Sequence, residues 1–274
     1  MKNFDIALND TLETRLLLST MLVNVKYLKY PSIQKPCEEI FSEIHHRKIF
    51  HGVIAKYDKL PDIFSNDFIF NIDVEKTKYF FKHSSYPILS MHIGDNLDNL
   101  LDDKCLENAV KNINFIRENL ETDCIALENM EFLSNLNTLN PEFITKLINK
   151  TNTMFLLDTA HATIAANLLN MDIYEYINKL PLNKLCEIHF SGTQIDGNNI
   201  LSHIKAREED YKLLEYILNI NTPETITIEY GLYDKEYSSK LLNSFPKVSY
   251  SKINIEALNE ILYMYYRINK LREK

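Results

Sequence analysis

The sequence predicts an α/β fold, a single (β/α)8 TIM-type barrel spanning residues 1–274 and irregular at its ends. Three observations predict it. Apolar runs of strand length alternate with segments of helical periodicity along the whole chain, and the connections are short. Strand after strand closes on a histidine or a carboxylate. No GxGxxG, P-loop or GxSxG motif supports the runner-up architecture, an open doubly wound sheet.

Taken in order, Phe4 to Leu8 alternates as a first strand, and Thr11 to about Thr20 reads as helix. Val23 to Tyr27 reads as a strand and Ser32 to His46 as a helix. Lys48 to Ala55, KIFHGVIA, is an apolar run interrupted by His51-Gly52. Phe68 to Ile72 reads as a further strand, Val74 to His83 as a helix bounded by Pro87, and Pro87 to His92 as a strand ending in histidine. Leu106, Ala109, Val110, Ile113, Ile116 and Leu120 recur at helical spacing. Cys124 to Glu128, CIALE, is a strand closing on a carboxylate. Asn140-Pro141 makes an N-cap and first-turn pair for the next helix. Phe155 to Thr193 then reads as strand, helix, strand, its first strand closing on Asp158 and its second near His189. Arg207 to Leu218 is a helix with Tyr211, Leu214 and Ile217 on one stripe. Thr225 to Glu229 is a strand ending in a carboxylate, and Ile255 to Leu271 is a long terminal helix.

Composition narrows the class. A formal net charge of -8 does not favour a polyanionic partner, so a nucleic-acid substrate is not expected. The four cysteines show no CxxC spacing and are expected as free, mostly core thiols in a reducing compartment. No run is apolar and long enough to span a membrane, and the N-terminus lacks the pattern of a signal peptide. A cytoplasmic location is expected.

The strand ends carry the chemistry. His51, His92, Glu128, Asp158 with His161, His189 and Glu229 fall at or just past predicted strands, and His203 sits in the loop after LCEIHF. Parallel strands joined by crossovers end on one side of a sheet, so residues far apart in sequence converge there. In a barrel that side is where active sites are built. Imidazole and carboxylate donors together suit zinc, iron or manganese. Five of the eight histidines belong to this set; His45, His46 and His83 do not. Four of the five glycines flank these positions, as strands that stop abruptly require, although loops favour glycine in any case. Alternation along LCEIH points Leu185, Glu187 and His189 the same way, so Glu187 faces either His189, as a carboxylate orienting the imidazole, or a rim lysine.

These residues resemble the xylose isomerase-like TIM barrels, which include single-metal sugar epimerases, endonuclease IV-type repair enzymes and multinuclear non-haem iron oxidative enzymes. The similarity is greatest to the last group, the methanobactin-maturation oxidase type. It runs nearly end to end through FHGVIAKY at His51, PILSMH at His92, IALENMEFLSN at Glu128-Asn129, LLDTAHATIAANL at Asp158, LPLNKLCEIHFSGT at His189 and TITIEYGLYDKEY at Glu229. The resemblance implies ligand roles for His51, His92, Glu128, Asp158, His189, His203 and Glu229, with Asn129 beside them. It implies two or three metal ions, iron favoured over manganese or zinc. It implies oxidation, with O2, of a side chain of a ribosomally made precursor peptide, often cysteine, presented by a partner protein. Two positions depart from that pattern. Leu201 stands where an aspartate is expected, with Asp196 nearby in the same loop, and His161, the repair-nuclease residue, replaces an asparagine. A sugar isomerase using only Glu128, Asp158, His189 and Glu229 is the alternative, followed by a phosphodiesterase.

Overall fold

The structure, a computed structural model, describes residues 2–30, 46–57, 61–96, 100–131, 136–196, 199–230 and 253–273. Eight strands run parallel in one sheet. In chain order they are β1 (Asp5–Asn9), β2 (Tyr27–Tyr30), β3 (Lys48–Phe50), β4 (Leu89–His92), β5 (Ile125–Glu128), β6 (Met154–Asp158), β7 (Leu185–Phe190) and, after an inserted hairpin, β10 (Thr225–Ile228). The hairpin is β8 (Gly192–Asp196) with β9 (Asn199–Ile204), paired antiparallel. The sheet order is β3-β2-β1-β10-β7-β6-β5-β4, so every barrel strand pairs with its neighbour in sequence. Its two edges meet: Gly52 N donates to Ser90 O at 2.6 Å, Ser85 N donates to Lys48 O at 2.7 Å, and His51 bridges Ser90 in parallel. The predicted (β/α)8 barrel is therefore present, and nearly closed.

The helices follow from their caps and stripes. α1 (Leu12–Ser19) starts in a capping box in which Thr11 and Thr14 exchange side-chain and backbone hydrogen bonds. The next helices are α2 (Phe68–Asn71), α3 (Val74–Lys82) and α4 (Asp102–Leu120). α5 (Pro141–Thr151) carries the predicted Asn140 cap, whose Oδ1 accepts from Glu142 N at 2.9 Å. α6 (Thr159–Leu168), α7 (Ile173–Lys179), α8 (Glu208–Ile220) and α9 (Ile255–Glu273) complete the outer layer. The large apolar cluster lies between the strands and these helices, with Phe50, Phe80, Phe155 and Phe190 among its fully buried side chains. A second, small cluster comes from strands and the approach to β4: Ala7, Tyr27, Ile49, Tyr86, Ile88, Ala126, Leu156 and Cys186. These residues floor the barrel interior, and the next inward-facing positions toward the strand C-termini are polar.

Three sequence expectations change. Phe68 to Ile72 is not a strand. Phe68–Asn71 is a helical turn with Phe68 buried and Phe70 exposed, because an apolar run that short fits either state. The second strand is Tyr27–Tyr30 rather than Val23 to Tyr27, its start being set by pairing with β1, Ala7 opposite Tyr27. Leu185 does not share a face with Glu187. Phe155 pairs with Leu185 but the adjacent Leu156 pairs with Glu187, so Cys186 forms a bulge and Leu185 turns into the outer core. The helix expected over Ser32 to His46 lies almost wholly outside the described residues. Cys105 and Cys186 are free and buried and Cys124 is free and exposed, while Cys37 lies outside the described residues. Among the described residues no helix is long and apolar enough to cross a membrane.

Candidate metal centre

Each barrel strand delivers its last inward-facing residue to one mouth. β4, β5, β6 and β7 bring His92, Glu128, Asp158 and His189, while His51 and Glu229 directly follow β3 and β10. Glu128 lies at the centre and is 1% exposed. Its Oε2 is 3.1 Å from His51 Nε2 and 3.5 Å from His92 Nε2, while Oε1 is 3.0 Å from His189 Nδ1 and 3.7 Å from His161 Nδ1. The imidazoles form a continuous chain: ring centroids are 5.3 Å apart for His189 and His51, 5.1 Å for His51 and His92, 6.1 Å for His92 and His161, and 5.5 Å for His161 and His203. His92, its side chain 46% exposed, is the open edge of an otherwise buried group.

Local structure aims each donor. Asp158 is both strand end and helix cap. Its Oδ1 accepts from His161 N at 2.8 Å, leaving Oδ2 directed inward, 3.9 Å from His161 Nε2. The cap reading and the ligand reading thus concern different oxygens of one carboxylate. Asn129 holds this strand end from both sides: its Nδ2 donates to Asp158 O at 3.0 Å and its Oδ1 accepts from Asp158 N at 2.8 Å. Its carbonyl is 2.9 Å from His161 Nδ1, which places a proton on that nitrogen and leaves Nε2 facing Asp158 Oδ2 and Glu131 Oε2. His51 Nδ1 sits 2.8 Å from Ser90 Oγ, with Nε2 again facing inward. Glu187 faces inward as one of the two sequence readings required. It is fully buried, accepts from Thr227 Oγ1 at 2.6 Å and lies 3.4 Å from His189 Nε2.

His203 is not in a loop but in strand β9, at a left-handed φ of 55° that turns it over the mouth. Its Nδ1 is 3.5 Å from Glu229 Oε2. The hairpin can reach this far because Gly192 has no side chain: a Cβ there would lie 2.1 Å from Lys205 O. Gly192→Ala is therefore expected to destabilise the protein by about 1–3 kcal/mol as an overpacked site and to move His203 off the centre. Urea unfolding together with a crystal structure of the variant checks this, and a wild-type hairpin geometry would refute it. Asp196 stands exposed at the hairpin tip, in none of the donor groups, so it does not replace the carboxylate missing at Leu201.

Sequence reasoning missed two residues. Lys29 is buried, and its Nζ contacts Glu229 Oε1 and lies 2.9 Å from His189 Nε2. The alternation YLKY places it inward with Tyr27, a signal obscured by starting the strand too early. Glu131, three residues past Glu128, brings Oε2 to 3.8 Å from His161 Nε2, and its Oε1 accepts from Ser202 Oγ at 3.2 Å.

Electrostatics divides the histidines. Burial, reinforced by Lys29, lowers His51 to about 4, and partial loss of hydration, with His161 and Lys29 close by, lowers His92 as well. Burial opposes charge on His189 too, but Glu229 and Glu128 outweigh it and push His189 up to about 10; Asp158 and Glu128 likewise raise His161. Burial alone would raise Glu128, Glu187 and Glu229, yet their cationic neighbours hold all three below the usual carboxylate range. The signs set a stability optimum for the metal-free protein. Between pH 6.5 and about 4 the unfolded chain protonates His51 and the folded chain does not, so stability falls as pH falls. Between pH 6.5 and about 10 the folded chain retains the His189 proton and the unfolded chain does not, so stability falls as pH rises. Urea midpoints of chelator-treated protein are expected to peak near neutrality, and a midpoint rising steadily from pH 6.5 to 9 would refute the assignment.

The donors fit metal ions. Four triads, His51/Glu128/His189, His92/Glu128/His161, Asp158/His161/His203 and Asp158/His189/Glu229, each offer ligand atoms within 4.8 Å of one another. More telling are the buried atoms with no hydrogen-bond partner: His51 Nε2, Glu128 Oε2 and Asp158 Oδ2. His51 Nε2 and Glu128 Oε2 face each other at 3.1 Å without the alignment of a hydrogen bond, an arrangement that a shared cation satisfies.

The fold is that of the xylose isomerase-like TIM barrels. The chain shares that fold with a xylose isomerase domain containing protein from Salmonella typhimurium LT2 (TM-score 0.65, 12% identity, 98% of this chain and 97% of that one). It also matches an L-ribulose 3-epimerase (0.61, 15%, 98% and 96%) and the IolI protein, whose structure carries a zinc atom (0.62, 13%, 98% and 98%). No curated protein matches it in sequence. Within the fold the chain belongs to the family described as RiPP precursor modification enzyme MbnB/TglH/ChrH, whose model matches residues 44–242.

Proposed function

We propose that this RiPP precursor modification enzyme is a multinuclear metal-dependent oxidase that uses O2 to modify a side chain, cysteine in the first instance, of its precursor peptide. The observation that carries the proposal is the number of donors converging on one mouth. Five imidazoles and three carboxylates stand where a single ion would use about four. Ligand roles are assigned to His51, His92, Glu128, Asp158, His161, His189, His203 and Glu229, with Asn129 and Glu187 holding His161 and His189 in orientation. Two or three ions fit these triads, and the mixed nitrogen and oxygen donors suit iron, with manganese or zinc accepted by the same chemistry. Iron, when bound, supplies redox chemistry with dioxygen.

The protein's own part is to admit the peptide and exclude water. His92 is the exposed edge across which a peptide side chain approaches, and the hairpin carrying His203 lies beside His161 and Glu229. Buried Glu128 keeps its negative charge and so holds the imidazoles around it. A partner protein that presents the precursor and a cytoplasmic location belong to the same reading.

The sugar isomerase reading needs only Glu128, Asp158, His189 and Glu229. It leaves His51, whose Nε2 is aimed at Glu128, without a task, and it fits a peptide-modifying family poorly. Anaerobic purification from iron-supplemented cells, followed by elemental analysis with Mössbauer and EPR spectroscopy, tests the proposal. Two or more irons per chain with a coupled signal are expected; a single redox-inert ion per chain would overturn it.

A further inference from the structure

We infer that Lys29 is a built-in cation holding the Glu229 side of the centre, so that the triad Asp158/His189/Glu229 takes metal last and most weakly. The inference rests on the metal-centre reading above and concerns how many ions this chain retains. Lys29 Nζ contacts Glu229 Oε1 and lies 2.9 Å from Nε2 and 3.3 Å from Nδ1 of His189. His189 and Glu229 are two of the three residues of this triad. Lys29 is 3% exposed, so its ammonium is almost wholly withdrawn from water and faces the donors instead.

The other side of the centre differs. Glu128 Oε2, which faces His51 Nε2 and His92 Nε2, has no hydrogen-bond partner, so an ion in the triad His92/Glu128/His161 displaces no contact of Lys29. An ion at Glu229 must break the contact with Lys29 and sit beside a positive charge in a low-dielectric interior, where like charges repel strongly. The same ammonium gives the metal-free protein a counter-charge for a carboxylate-rich mouth and keeps Glu229 in place before any ion arrives.

The test compares wild type, Lys29→Met and Lys29→Arg after chelation, using zinc as probe. Calorimetric titration gives the affinities, and elemental analysis after desalting gives the retained zinc. Lys29→Met is expected to tighten the weakest site at least tenfold and to retain more zinc per chain, while Lys29→Arg behaves as wild type. Wild type and Lys29→Met binding the same number of ions equally tightly would overturn the inference and leave the metal reading standing; no binding by any of the three would overturn both. Should Lys29→Met not fold, wild-type crystals with one equivalent of zinc decide. An anomalous peak at Glu128 with His92 and His161 supports the inference, and a peak at Glu229 overturns it.

Discussion

Glu128→Gln is expected to cost the protein at least half of its bound metal and to weaken the remainder by about a thousandfold, the equivalent of about 4 kcal/mol. Glu128 belongs to two of the four donor triads and is the carboxylate nearest to His51, His92 and His189. Glutamine keeps its volume, so the packing of β5 against β4 and β6 is not at stake. What changes is charge and lone pairs: the amide nitrogen is a donor, and one of the two positions it takes faces His51 or His189. Elemental analysis after desalting, together with competition against a chelator of known affinity, measures both effects. His83→Ala is the control, since that exposed imidazole lies at the end of α3, against the carbonyl and ring of Tyr79 and in none of the donor triads. Glu128→Gln with full metal content and unchanged affinity would remove Glu128 from the centre and leave the triads without their hub.

The fold was legible because barrel strands follow a simple rule. Runs such as IALE and MFLLD are buried on both faces, so they read as continuous apolar segments ended by one polar residue, and that residue marks the mouth. The same rule located His51, His92, Glu128, Asp158, His189 and Glu229. It failed where pairing, not composition, decides. Only the β1 register shows that β2 runs to Tyr30, and therefore that Lys29 faces inward; taken alone, a lysine reads as solvent-facing. Only the pairing of β6 with β7 reveals the bulge at Cys186 that turns Leu185 away from Glu187. Glu131 was hidden for another reason: it lies beyond its strand, and nothing in the spacing of ENME says that the chain folds back toward His161.

Restoring metal to chelator-treated protein is expected to raise Tm by about 8 °C or more. A ligand that binds only the folded state stabilises it by about 4 kcal/mol per site at a thousand times its Kd. For a chain of this size each kcal/mol moves Tm by roughly 2 °C. The physical source is visible in the centre. Each buried polar atom left without a partner costs about 1–3 kcal/mol, and His51 Nε2, Glu128 Oε2 and Asp158 Oδ2 are three of them. Ions bound in the triads that contain these atoms remove that penalty and also neutralise carboxylates crowded into a buried space. Differential scanning calorimetry with and without a stoichiometric divalent ion measures the shift, and Glu128→Gln should reduce it by at least half. A shift below about 2 °C with the ion demonstrably bound would mean that these atoms carry no strain in the metal-free state. The donors would then be arranged for something other than a tightly held ion. The prediction ties stability to function at the same atoms: a mouth preorganised for metal cannot also be relaxed without it, so the metal-free barrel should be the less stable form.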